Sequence, residues 1–341
     1  MAGAGSPTGS RLLHLTAMQP SLEIDLAPAK KNSLLLRNPV MPASGCFSWG
    51  FEFAKHFDIS ALGAVVSKGV TMEPRRGNPQ PRVAETPGGM LNSIGLQNVG
   101  IDECIEDMAP QWARWAAPVI VNIAGDTPEE FGVMAGMLDG VPGVGAIELN
   151  ISCPNVDIGG IEIGQNVAAS ARATRAAVRR TDLPVIVKLT PNVTDPVELA
   201  LACEAEGATA ICAINTVLGL AIDSRRRRAV LPRARGGLSG PAIKPIALRI
   251  VYDVARAVRI PVIGCGGIAT GEDAIEFLMA GASAVQVGTA SFANPRALMD
   301  VIEGIERWLV ANGVDDVRDI MGVAQPGREP ADSLFASESV G

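Results

Sequence analysis

Eight short apolar runs, at 39–44, 64–69, 119–124, 146–152, 185–190, 210–215, 262–267 and 284–289, govern what this chain can fold into. Most are apolar at consecutive positions rather than at every second one, the pattern of strands covered on both faces. Stretches with helical periodicity fall between them, for example 167–180 and 197–206. A third, 243–258, begins beside Pro241 and Pro245, residues suited to a helix start. Eight strand–helix units predict an α/β fold of the (β/α)8 TIM-barrel type rather than an open doubly wound sheet. The 341 residues are within reach of a single such domain. No linker interrupts the pattern. The expected organisation is a flexible lead at 1–21, one barrel domain at 22–312 and a largely mobile C-terminal segment at 313–341. Within the domain, 22–36 are expected to form a short N-terminal hairpin extension closing the barrel bottom.

Charge and residue usage exclude several function classes. The formal net charge is -7, which disfavours a nucleic-acid backbone as partner. Against that background the run Arg225–Arg228 is expected to be a solvated loop face. No apolar run reaches the roughly 18–20 residues of a membrane span, and no secretory signal is expected at the start. The six cysteines, at 46, 104, 153, 203, 212 and 265, contain no CxxC spacing. No metal or cluster site is therefore expected on this chain, and reduced, cytoplasmic thiols are predicted. Histidine occurs only at 14 and 56, so acid–base chemistry must use other groups.

In such barrels the chemistry gathers at the C-terminal ends of the strands. There the sequence places Ser44, Lys68 and Gly69, Asn122, Asn150 with Cys153, Lys188, Asn215 and Thr216, Gly266 and Gly267, and Gly288 and Thr289. Polar groups so placed are costly without partners, and a binding site accounts for the whole set better than internal pairing does. The glycines after the seventh and eighth strands suit backbone donors approaching a phosphate, with a tight turn as the alternative. Lys188 suits a cofactor such as flavin that gains negative charge on reduction, with a structural ion pair as the alternative. Cys153 lies in a loop among Asn150, Ser152 and Asn155, where a thiol can act as a general base. The other cysteines read as core fillers or, for Cys46, a turn residue. The stretch Asn92, Ser93, Ile94, Gly95, Leu96, Gln97, Asn98 offers donors and acceptors to a planar, amide-rich ligand, and otherwise is a polar surface loop.

The segments MPASG, SKGVT, LNSIGLQN, ELNISCPN, IVKLTPN, AINT, GGLSGPAIKPIALR, GCGGI and VGTASF, in that order from about residue 22 to 312, resemble the class 1 dihydroorotate dehydrogenases. Within them the sequence looks most like the class 1B catalytic subunit. The resemblance implies one FMN per chain, bound by Ser44, Lys68, Gly69, Asn122, Asn150, Lys188, Ile214, Gly240, Gly266, Gly267, Gly288 and Thr289. It implies dihydroorotate held by Lys68, Asn92, Ser93, Ile94, Gly95, Leu96, Asn150, Asn215 and Thr216, with Cys153 as base. It further implies an electron-transfer partner subunit carrying FAD and a [2Fe-2S] cluster, NAD as final acceptor, and a homodimeric core within a heterotetramer. The sequence departs from the pattern at Gly159–Gly164, which lacks an aromatic residue near Ile163, and at Cys46–Gly50. The alternatives are the fumarate-using class 1A enzyme, an FMN-dependent tRNA dihydrouridine synthase, which the acidic charge disfavours, and a non-catalytic phosphate-binding barrel.

Overall fold

The computed structural model of the chain describes residues 19–30, 32–151 and 163–327. Cys153, proposed above as the base, lies outside the described residues. Eight parallel strands make up the core: β1 (Val40–Pro42), β2 (Val65–Val66), β3 (Val119–Ile123), β4 (Val144–Asn150), β5 (Val185–Leu189), β6 (Ala210–Ala213), β7 (Val262–Cys265) and β8 (Ala284–Val287). Each falls within or overlaps one of the eight predicted runs. Their hydrogen-bonded order is β1-β8-β7-β6-β5-β4-β3-β2. The ring closes where the Gly63 N–H donates to the Val40 carbonyl at 2.9 Å and the Ser44 hydroxyl to that of Ser67 at 2.9 Å. Strands β3, β5, β6, β7 and β8 are buried along their whole length, which is why their sequences do not alternate.

The outer helices start on local signals. Asn166 caps Val167–Val178 through the Ala169 N–H, and Asp195 caps Pro196–Ala205 through the Val197 N–H. Thr270 and Asp273 form a reciprocal capping box for Gly271–Met279. The predicted helix at 243–258 appears as Lys244–Ala257 after a 3-10 turn, Pro241–Ile243. No described helix is long and apolar enough to cross a membrane.

Three features add to the sequence expectations. The predicted hairpin at 22–36 is present, with Ile24–Asp25 antiparallel to Leu35–Leu36 and Leu26, Leu34 and Leu36 buried in the core. A four-stranded antiparallel sheet, ordered Val217–Leu220, Arg235–Ser239, Gly89–Asn92 and Val83–Thr86, rises from the loops after β2 and β6. Only a loop was expected there. The third feature is a correction. Residues 313–327, assigned above to a mobile segment, pack onto the barrel: Val314, Val317 and Ile320 are buried, and Asp316 bridges to Ser21. Arg225–Arg228 lies exposed at a hairpin turn, as expected of a solvated face.

Candidate active site at the barrel mouth

The site is built on four inward-facing polar side chains from apolar strands. Lys188 on β5 stands opposite Cys212 on β6, and Gln286 on β8 opposite Cys265 on β7. Glu148 on β4 stands opposite Asn122 on β3. The Glu148 carboxylate, fully buried, accepts from Asn122 Nδ2 at 2.7 Å and from Gln286 Nε2 at 2.6 Å, and lies 3.8 Å from Lys188 Nζ. Lys188 Nζ also donates to Gln286 Oε1 at 2.7 Å. Burial by itself would lower the Lys188 pKa. The surrounding acidic groups, Cys212, Cys265 and Glu148, outweigh it and hold the value above that of an ordinary lysine. Burial pushes the Cys212 thiol well up, whereas the hydrogen bond to Cys212 and the nearby Lys188 ammonium draw the Cys265 thiol down against its own burial. Asn122 Oδ1 is buried without a hydrogen-bond partner among the described residues. It lies 3.0 Å from where a Cβ on Gly69 would stand, with Asn150 Nδ2 at 3.9 Å from the same point. Gly69 thus keeps open a space walled by two asparagine amides.

A second cradle lies between β7 and β8. Gly266 and Gly267 follow β7 with φ of 129° and 81°. A side chain on Gly266 would come within 2.8 Å of Ala247 and 3.6 Å of Ile214, which follows β6 through a cis peptide. A Cβ on Gly240 would approach Thr289 to 3.5 Å, and the Thr289 hydroxyl donates to that of Ser239 at 2.8 Å. Gly288 lies against Cys46 and Ala43. The Cys46 thiol is pushed up to about 12, chiefly by burial. The buried Ser291 hydroxyl lacks a hydrogen-bond partner among the described residues. Left-handed backbone, bare glycines and hydroxyls fit an anion held by main-chain donors.

The antiparallel sheet brings the remaining residues together. Asn92 Nδ2 donates to the Gly237 carbonyl at 3.2 Å, and a Cβ on Gly237 would overlap Thr216. Asn215 Nδ2 donates to Asn150 Oδ1 at 3.3 Å. Asn192 ties this corner to the barrel: its Nδ2 donates to the Thr216 carbonyl and its Oδ1 accepts from the Leu218 N–H at 2.8 Å. Leu96, at φ 52°, reaches within 3.4 Å of the Gly69 position. Ile94 accepts through its carbonyl from the Asn78 N–H, and Gly95 takes φ 75° against the Asn78 side chain. Ser93 is buried, its hydroxyl accepting from Asn78 Nδ2 at 3.0 Å, so this member of the predicted stretch braces the loop. No hydrogen bond or ion pair reaches the Lys68 ammonium among the described residues. Burial, reinforced by Arg82, lowers its pKa against an opposing pull from Glu52.

Sequence reasoning overlooked Glu148, Gln286, Asn78, Asn192 and Ser239. Glu148 and Gln286 carried a signal like that of Lys188, a polar residue inside an apolar run. The remaining described cysteines behave as core. Burial raises the Cys104 thiol to about 12 and the Cys203 thiol to about 11.

Together these features define a (β/α)8-barrel enzyme with a glycine-rich cradle beside an amide-walled, lysine-bearing mouth. The dihydroorotate dehydrogenase family profile matches residues 29–309, and the chain belongs to that family of oxidoreductases. It is 52% identical to a protein of Trichlorobacter lovleyi over 308 residues, covering 90% of this chain and 100% of that one. It is 53% identical to one of Pelobacter propionicus with the same coverage, and 52% identical to one of Geobacter sulfurreducens over 90% of this chain and 99% of the other. All three relatives are named dihydroorotate dehydrogenase B (NAD(+)), catalytic subunit. The class 1B resemblance noted from the motifs therefore extends across the barrel.

Proposed function

We propose that this chain is the FMN-binding catalytic subunit of an NAD-linked dihydroorotate dehydrogenase, oxidising (S)-dihydroorotate to orotate in cytoplasmic de novo UMP synthesis. The observation that carries the proposal is the pairing of two unfilled demands. One is the buried acceptor Asn122 Oδ1 beside the space left by Gly69. The other is the left-handed glycine cradle at Gly266 and Gly267, with Gly240, Gly288 and Thr289 around it. A planar heterocycle with a ring N–H, tethered to a phosphate, meets both, and FMN is such a molecule. Ser44, Lys68, Asn150, Lys188 and Ile214 would complete its binding set.

When bound, FMN supplies the acceptor for the hydride that leaves C6 of dihydroorotate. The chain's own residues do the rest. Lys68, whose ammonium makes no hydrogen bond or ion pair among the described residues, suits the carboxylate of the substrate. Asn92, Asn150, Asn215 and Thr216 offer amide and hydroxyl groups to its ring, with Ser93, Ile94, Gly95 and Leu96 shaping the wall. Cys153 takes the proton from C5, the carbon alpha to a carbonyl. Lys188 places a fixed cation where negative charge accumulates on reduction. A partner subunit carrying FAD and a [2Fe-2S] cluster would supply the route from the flavin to NAD, with two catalytic chains at the core of a heterotetramer. The relatives' shared designation as a catalytic subunit supports such a partner.

The test is anaerobic mixing of the purified protein with dihydroorotate while flavin absorbance is followed. Bleaching that NAD reverses only with the partner subunit is the expected result. Reversal by fumarate alone would move the chain to a fumarate-using enzyme, and a bound flavin that never bleaches would refute the substrate. Cys153→Ala should keep its flavin and bleach at least about 100-fold more slowly; undiminished bleaching would remove Cys153 from the base role.

A further inference from the structure

The network beneath the mouth contains two groups to which the proposed mechanism gives no task, Glu148 and Gln286. Glu148 is a charged side chain with zero exposure in the interior of a barrel, a placement that is costly unless every lone pair is used. Its oxygens are divided between two neighbours: Oε1 takes the Asn122 amide and faces Lys188, while Oε2 takes the Gln286 amide. Gln286 passes its other end to Lys188.

We infer that Glu148 is a positioning residue for the cofactor site, its carboxylate fixing both the hydrogen-bond polarity of Asn122 and the place and charge balance of Lys188. The inference rests on the FMN reading above. A carboxylate accepts hydrogen bonds and donates none. Both amides that meet it must therefore present their NH2 groups to it. Asn122 is left showing Oδ1, an acceptor without a partner among the described residues, toward the space beside Gly69, where a donor on the bound ring can satisfy it. Gln286 is left showing Oε1 to the Lys188 ammonium. Glu148 also supplies the negative charge that partly neutralises Lys188 before the flavin is reduced.

Glu148→Gln keeps the shape, removes the charge and lets both amides turn over. Two readouts separate positioning from mere scaffolding: the FMN midpoint potential of the holoprotein and the FMN affinity of the apoprotein. With its counter-charge gone, Lys188 favours the reduced, anionic flavin more strongly. The two-electron reduction equilibrium is expected to shift about tenfold toward reduction, about +30 mV. The apoprotein should bind FMN about tenfold more weakly, since a hydrogen bond anchored on a charge is lost from the amide that meets the ring. Gln286→Met, which removes the Gln286 bonds to both Glu148 and Lys188 but keeps the Glu148 charge, should move the potential in the same direction by a smaller factor, and it provides the test if Glu148→Gln does not fold. A folded Glu148→Gln protein with wild-type potential and wild-type FMN affinity would overturn the inference while leaving the FMN reading intact, and so would an unshifted Gln286→Met protein if that is the variant available. Wild-type protein that binds no FMN would instead overturn the reading on which the inference rests.

Discussion

Gly267 shows how much of the proposed site hangs on single backbone positions. It takes φ 81°, and a Cβ there would stand 2.6–2.7 Å from Cβ, Cα and N of Lys244, two of them main-chain atoms at the start of a helix. Neither the left-handed conformation nor the crowding can be relieved without moving the cradle. Gly267→Ala is therefore expected to weaken FMN binding at least about tenfold, measured by titrating apoprotein with FMN. The control is Gly140→Ala, also left-handed at φ 71° but with nothing within 4 Å of its Cβ. It should cost about 1–2 kcal/mol of stability from backbone strain alone and leave FMN affinity unchanged. Equal loss in both variants would mean that the cradle is not at Gly267. These glycines were legible in the sequence because Gly266-Gly267 and Gly288-Thr289 occupied matching strand ends. Glu148 and Gln286 were not picked out, although each interrupts an apolar run as Lys188 does. Strand-end position drew attention to the mouth, and the layer beneath it, where orientation is decided, lies a turn of the pleat deeper.

The helix Gly271–Met279 links that cradle to the outer layer. Asp273 closes its capping box, accepting from the N–H groups of Ala269 and Thr270 at 2.9 Å, and binds Lys244 Nζ at 2.6 Å. The same Lys244 backs Gly267. Burial raises the Asp273 pKa, but the Lys244 ammonium and the donors from Ala269 and Thr270 outweigh it and leave the value below that of a free aspartate. A carboxyl lowered in the folded state adds stability above its unfolded value, near 3.9, and that stability is lost as pH falls through the folded value. Asp273→Asn should cost about 1–2 kcal/mol at neutral pH, and the gap to wild type should narrow as pH drops below about 4. Urea unfolding across pH measures both, and a gap independent of pH would refute the charge-based part. At this scale the strands of the barrel were readable because burial on both faces leaves an uninterrupted apolar signature. The antiparallel sheet over the mouth was not. Its strands run only four or five residues, carry glycines at 89, 219, 236 and 237, and pair segments about 145 positions apart, as in Asn92 with Gly237. Periodicity within a window carries no trace of such pairing.

Across the whole molecule, the two ends of the described chain close on each other. The Ser21 N–H donates to the Asp315 carbonyl at 2.8 Å, and the Ser21 carbonyl accepts from the Val317 N–H at 2.9 Å. Beyond that bridge, Gly322 and Ala324 donate to the carbonyls of Leu278 and Met279, and Gln325 Nε2 reaches the Ala280 carbonyl at 2.8 Å. The sequence concealed this: Val314, Val317, Ile320 and the partly buried Met321 supply apolar contact, and the 3-10 turn Val317–Ile320 among them is too short to show a period. Each such side chain is worth about 1.5–3 kcal/mol when fully buried, an upper bound because the unfolded chain already buries part of that surface. Their loss together approaches the roughly 5–15 kcal/mol that separates a folded domain from its unfolded state. Ending the chain at Asn312 should therefore lower the unfolding temperature by about 10 °C or more, at about 2–4 °C per kcal/mol for a domain of this size. Val317→Asp should reproduce a large part of the fall, since it places an unpaired charge where exposure is 0%. Both belong in thermal scans with FMN in excess, so that cofactor loss does not pass for loss of packing. If the shortened chain melts with the full-length protein, the segment rests on the barrel without supporting it. If it melts early and retains its FMN up to that point, the tie between the chain ends supports the barrel as a whole and the mouth is stable until the barrel itself unfolds.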